Sequence, residues 1–254
     1  MSDTLNILIV DDEQVILAAS RRILEIEGFS VRTAGDAETA LQMMSTAVPD
    51  IVVVDLKLPG MSGLEFLVHA RVRHPATLVI LATGYATANY AVSSLAGGAF
   101  DYLPKPFAFQ ELLSPIRRAC NYLALPEEKR EPLPISDTSA YSCLGNMTWA
   151  KRNSGDQYLV GLTKAFLNSV GSIREIAFPS VNELIHQGSP LAKVTSKADH
   201  LHFVWSPLSG LVIEINTGLQ AAPEQALSMT LEDLWIARIR PADPEHELKI
   251  LLRA

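Results

Sequence analysis

A chain of 254 residues exceeds a typical single domain of roughly 100–200 residues, and its 48% hydrophobic and 19% charged residues supply two packed cores, which excludes wholesale disorder. Lys and Arg number 9 against 13 Asp and Glu before residue 125, 2 against 4 across residues 125–140 and 10 against 11 beyond, a net charge of −7. No segment therefore has the basic field that a phosphate backbone requires, and nucleic acid is not an expected partner. Cys120 and Cys143 are too few for a disulfide framework, the start MSDTLNILIVDDE has no basic leader, and no apolar run reaches the ~18 residues of a membrane span. The reading is a soluble, cytoplasmic chain with no membrane partner.

Residues 5–10 (LNILIV) read as a buried strand that stops at Asp11 and Asp12. Ile16, Ala19, Ile23 and Ile26 then recur at helical spacing, and Gly28 ends that helix. Residues 30–33 give a second strand, and Asp36 N-caps a helix to about Ser45 with Glu38 in its first turn. Residues 51–54 (IVVV) form a central strand buried on both faces, and Asp55 stands at its end because Pro59 and Gly60 follow. A helix over 62–73 is closed by Pro75, a strand covers 78–81, a helix covers 87–95 before Gly97 and Gly98, and a strand covers 99–103. Leu112, Leu113, Ile116, Ala119, Cys120 and Leu123 mark a last amphipathic helix. This alternation predicts an α/β fold with a five-stranded, doubly wound parallel sheet, whose ligands bind beyond the carboxyl ends of the strands.

Asp11 and Asp12 follow the first strand, Asp55 ends the third, Thr83 follows the fourth and Lys105 the fifth, so all five converge on that edge. Three crowded carboxylates repel one another, and a hard divalent cation with oxygen ligands relieves the repulsion. Magnesium keeps several waters and so leaves positions open for a phosphoryl group, whose oxygens a Lys and a Thr hydroxyl would hold.

With Asp11-Asp12, VVVDLKLPGMSG around Asp55, LATGYA with Thr83 and FDYLPKPF with Tyr102 and Lys105, the first 124 residues resemble the flavodoxin-like receiver domain of two-component response regulators. The resemblance implies that Asp55 accepts a phosphoryl group from the phosphohistidine of a sensor histidine kinase. Asp12, Asp55 and the Lys57 backbone carbonyl would bind Mg²⁺, with Asp11 acting largely through water. Lys105 would pair with phosphoryl oxygens across a cis Lys105–Pro106 bond, Thr83 would move toward the phosphoryl group, and Tyr102 would turn inward as the switch. Lys57 and Tyr85 would set the lifetime of the acyl phosphate. The chain is then no enzyme beyond its own phosphoryl transfer and dephosphorylation. The fourth helix (TANYAVSSLAGG) has no charged side chain, which speaks against the inter-subunit salt bridges many DNA-binding regulators use there.

Residues 125–140 (LPEEKREPLPISDTSA) hold three prolines and a charge cluster, and read as a linker. Beyond it, strands near Trp149 and over 158–162 join through Asn153-Ser154-Gly155-Asp156, and Thr163 caps a short helix ending near Gly171. Strands at 173–178, 191–195, 201–205, 211–215 and 234–239, and a final helix over 245–252, predict a second, mainly β domain at 141–254, a sandwich or flattened barrel. His186 has no metal-site partner, whereas His200 and His202 share a strand face and with it the option of a shared metal. No helix-turn-helix is present.

The segments MTWAKRNSGDQYLVGLTKAF, SVNELIHQGSPLAKVTSKA, SPLSGLVIEIN and LEDLWIARI make this half similar to the glycine cleavage system H protein, a biotinyl/lipoyl-type fold whose hairpin-tip lysine carries lipoate. Lys197 is the candidate. Counting back from Pro207, however, puts Asp199 in the lysine's place, and counting forward from Gly188 puts Ala198 there. The resemblance therefore implies an output domain that binds a protein partner. The alternatives are a lipoyl carrier gated by phosphorylation, with Lys197 modified, and a DNA-binding transcriptional regulator.

Overall fold

The predicted alternation is realised as β1 (Asn6–Val10), α1 (Gln14–Ile26), β2 (Ser30–Ala34), α2 (Ala37–Thr46), β3 (Ile51–Asp55), α3 (Gly63–Arg73), β4 (Leu78–Thr83), α4 (Ala88–Ala96), β5 (Asp101–Pro104) and α5 (Phe109–Ala124). The computed structural model describes residues 4–84, 88–130 and 140–253; Tyr85 and residues 131–139 of the linker lie outside the described residues. All five strands run parallel in the order β2-β1-β3-β4-β5. The order reverses at β1, so right-handed crossovers send α1 to one face and α2 and α3 to the other. β3 is buried at every position, which is why it reads as an unbroken apolar run.

One stripe departs from the expected pattern, and two further details add to it. α1 buries Leu17, Ser20 and Leu24 and leaves Ala19 exposed and Ile26 74% exposed. Apolar residues fill so much of VILAASRRILEI that two stripes one residue apart fit the same period, and packing on the sheet selects the second. α3 opens on a reciprocal capping box, in which Glu65 N–H donates to Ser62 Oγ at 3.3 Å and Ser62 N–H to Glu65 Oε2 at 2.8 Å. α5 runs through Pro115 and buries Arg118 completely.

The second half contains β6 (Tyr141–Leu144), β7 (Thr148–Ser154), β8 (Gln157–Leu162), α6 (Lys164–Val170), β9 (Ile173–Ala177), β10 (Leu184–Ile185), β11 (Pro190–Ser196), β12 (Leu201–Trp205), β13 (Gly210–Ile215), α7 (Thr217–Ala221), β14 (Trp235–Arg240), α8 (Pro244–Leu248) and β15 (Leu252–Arg253). Antiparallel pairing builds a seven-stranded sheet, β10-β13-β14-β8-β7-β6-β15, and a three-stranded one, β12-β11-β9. Thr148 Oγ1 donates to Trp205 O at 2.9 Å and so ties one sheet to the other. Thr163 caps α6 as expected, accepting from Phe166 N–H at 3.1 Å. The expected helix over 245–252 shrinks to α8, because the chain turns after it and pairs Leu252 and Arg253 with Cys143 and Ser142 of β6.

Trp149 is fully buried, donates from Nε1 to Leu162 O at 2.8 Å and meets the edge of Tyr141 at 5.2 Å. Its ring lies over Gly161, where a Cβ would stand 2.4 Å from Trp149 Cζ2 and 2.5 Å from Leu234 O. Gly161→Ala is therefore expected to destabilise this half by about 2–3 kcal/mol in chemical denaturation, since neither a fully packed ring nor a backbone oxygen can yield. A loss below about 0.5 kcal/mol, the range of neutral surface changes, would contradict this packing.

Candidate functional site

The carboxyl ends of β1, β3, β4 and β5 meet at one cavity of about 590 Å³ whose walls include Asp12, Asp55, Lys57, Thr83 and Lys105. Asp55 is the last residue of β3, and its Oδ2 accepts from Lys57 N–H at 3.0 Å. Lys105 follows β5, tied to β4 by its N–H to Thr83 O at 2.7 Å, and the Lys105–Pro106 peptide is cis. Its ammonium stands 2.5 Å from Asp11 Oδ2, 3.0 Å from Asp55 Oδ1 and 4.0 Å from Glu13 Oε1. Asp11, Asp55 and Lys105, 44, 50 and 94 positions apart pairwise in sequence, thus share one pocket.

Burial and the shared bridge pull in opposite directions. The side chains of Asp55 and Lys105 are only 8% and 12% exposed. Desolvation pushes the Asp55 carboxyl above its usual range, against the opposing pull of Lys105. For Lys105, burial draws the pKa down, but hydrogen bonds to Asp11 and Asp55 and their charges outweigh it, and the net shift is upward. Asp11 Oδ2 accepts from the Lys105 ammonium and its Oδ1 from Glu13 N–H at 3.0 Å. Thr83 and Tyr102 are both buried, and Thr83 ends β4 where the strand had been expected to stop two residues earlier.

In the second half, the register Thr195↔Leu201 and the bond from Ser196 N–H to His200 O leave Lys197, Ala198 and Asp199 in a tight turn. Lys197 is exposed there. Asp199 takes the left-handed position, φ +62°, and pairs with Arg174 of β9. His202 is buried edge-on against Phe166, His200 is half-buried and His186 is exposed.

A family model described as "Response regulator receiver domain" matches residues 7–117, and one described as "Glycine cleavage H-protein" matches residues 141–254. The chain carries a receiver domain followed by an H-protein domain. Over 134 residues the chain is 36% identical to the DNA-binding transcriptional regulator NtrC of Klebsiella pneumoniae, covering 52% of this chain and 28% of that protein. It is 38% identical over 113 residues to the response regulator MprA of Mycobacterium leprae, covering 44% of this chain and 50% of MprA. The chain thus spans half or less of these curated relatives. Among solved structures, a CheY-like response regulator receiver domain protein from Methanospirillum hungatei JF-1 is 35% identical, with 48% of this chain and 98% of that chain covered and a TM-score of 0.47.

The receiver pocket suits a hard cation in its donor chemistry: the carboxylate-bearing Asp12 and Asp55 line it, as does Lys57, whose backbone carbonyl is the expected third oxygen donor. Among the described residues no group of three or more His, Cys, Asp or Glu side chains is placed to hold a metal. The expected Mg²⁺ set is smaller, two carboxylates and a main-chain oxygen. Among the described residues no helix is long and apolar enough to cross a membrane.

Two contributors escaped the sequence reading. Glu13 adds a third carboxylate near Lys105, and Gly63 lets the chain after Asp55 fold back on itself, since a Cβ there would stand 2.3 Å from Asp55 O. The second glycine of PGMSG was the available signal.

Proposed function

We propose that the chain is a two-component response regulator that accepts a phosphoryl group on Asp55 from the phosphohistidine of a sensor histidine kinase. The observation that carries this reading is the bridge from Lys105 to both Asp55 and Asp11 in one open cavity. Asp55 Oδ attacks phosphorus in line, the P–N bond to the donor imidazole breaks, an acyl phosphate forms, and the imidazole leaves with the bonding pair. Lys105 neutralises the phosphoryl oxygens, and the Thr83 hydroxyl hydrogen-bonds them. Asp12, Asp55 and the Lys57 carbonyl would hold Mg²⁺, which supplies further charge neutralisation when bound. Movement of Thr83 and Tyr102 passes the change on to an H-protein domain that serves protein interaction, in the cytoplasm.

Incubating the full chain with Mg²⁺ and acetyl phosphate is expected to add one phosphoryl mass, stable in acid and lost in base, and Asp55→Asn is expected to take none. Label that persists in Asp55→Asn would place the acceptor elsewhere. Exposure of Lys197 at the hairpin tip favours one second reading, a lipoyl carrier. Intact mass of protein from a lipoate-competent host separates the two, because a stoichiometric lipoyl adduct on Lys197 supports the carrier.

A further inference from the structure

Residues 56–62 form the loop that leaves Asp55, and one bond to β4 and two within the segment close its ends. Leu56 N–H donates to Ala82 O at 2.8 Å, Gly63 N–H to Leu56 O at 3.0 Å, and Lys57 N–H to Asp55 Oδ2 at 3.0 Å. The middle of the loop is held from α2, 23 positions earlier in the chain. Glu38 stands in the first turn of α2, where Asp36 caps the helix by accepting from Thr39 N–H at 2.7 Å. Its Oε1 accepts from Met61 N–H at 3.2 Å and lies 3.0 Å from where a Cβ of Gly60 would stand, Gly60 itself being left-handed at φ +76°.

We propose that Glu38 is a positioning residue for phosphoryl transfer, pinning the Gly60–Met61 bend to α2 and thereby fixing Lys57 beside Asp55. The proposal rests on the reading of Asp55 as phosphoacceptor. Lys57 N–H on Oδ2 is what leaves Oδ1 facing Lys105, and the Lys57 carbonyl is the expected main-chain ligand of the metal. Slack in the bend therefore reaches both the orientation of the nucleophile and the metal position, to which in-line transfer is sensitive at the scale of 1 Å. Glu38 is exposed and does not line the cavity at Asp55, so its effect is transmitted and moderate.

The test compares the full chain with Glu38→Ala and with Glu38→Gln, which keeps an amide oxygen as acceptor. Amide hydrogen exchange of residues 57–62 is followed in metal-free protein, and labelling by acetyl phosphate is followed across a Mg²⁺ series. Loss of one hydrogen bond predicts exchange at Met61 about fivefold faster in Glu38→Ala and half-saturating Mg²⁺ raised by a similar factor, with the melting midpoint held and Glu38→Gln close to wild type. Wild-type exchange and Mg²⁺ dependence in Glu38→Ala would overturn the proposal, as would faster exchange with unchanged Mg²⁺ dependence, or Glu38→Gln as impaired as Glu38→Ala. A wild-type chain that takes no label would instead remove the Asp55 assignment, and the role of Glu38 with it.

Discussion

Lys105→Met is expected to slow phosphoryl uptake at Asp55 by about a hundredfold or more, the usual cost of deleting a preorganised charge at a reacting oxygen. It is also expected to lower the stability of the metal-free receiver by about 3 kcal/mol, because the buried Asp11 and Asp55 carboxylates lose the ammonium they share. The pH dependence separates the two partners. Lys105 has a folded-state pKa above its usual 10.5, so its contribution is whole below that value and is lost as pH rises through the folded value. Asp55 behaves oppositely. Its pKa is raised from 3.8, chiefly by burial, so its ionised form costs stability from the acid range upward, and that cost persists at neutral pH. Removing Lys105 enlarges it. Urea denaturation of wild type and Lys105→Met between pH 4 and pH 8 should therefore diverge as pH rises, and initial labelling rates should drop in the variant. Parallel curves would mean that the ammonium does not bridge the carboxylates in solution.

The receiver was legible in the sequence because β1, β3, β4 and β5 are buried along most of their length and each ends at or beside a residue of the site. β3 with Asp55 and β5 with Lys105 could be placed to within two residues at the end that carries the chemistry. What stayed hidden was partner choice. Nothing local says that Lys105 reaches Asp11 as well as Asp55, or that Glu38 answers Met61, since such pairs are set by which strand ends and helix starts adjoin in space. The stripe of α1 was misplaced by one residue for a different reason: its apolar residues are too dense for periodicity to be decisive. In the H-protein domain, β10 and β15 are two residues long and have no pattern to read; pairing to a neighbouring strand alone defines them. The turn holding Lys197 depended on register, which the count from Pro207 or Gly188 left open and the Thr195↔Leu201 pairing sets.

Arg118 shows the same limit at its strongest, and it carries the largest stability effect expected in the receiver. By periodicity it belongs to the polar side of α5, yet it is wholly buried, with Nη2 on Phe100 O at 2.8 Å and on Asp101 Oδ2 at 3.0 Å and its guanidinium 4.0 Å from the Phe100 ring centre. Asp101 is itself only 7% exposed, so the pair has exchanged water for each other and for a backbone oxygen. Arg118→Ala deletes the cation, leaves the Asp101 carboxylate and the Phe100 carbonyl with fewer donors, and opens a cavity beneath α5. The expected loss is about 3–5 kcal/mol, read from denaturation of the receiver, with the H-protein domain's transition unmoved. Arg118→Met with Asp101→Asn removes both charges while keeping volume, and should recover most of that loss, because a buried ion pair owes much of its apparent strength to the cost of breaking only one side. If the double variant is as unstable as Arg118→Ala, then shape and the stacked Phe100 ring, not charge pairing, hold α5 on the sheet.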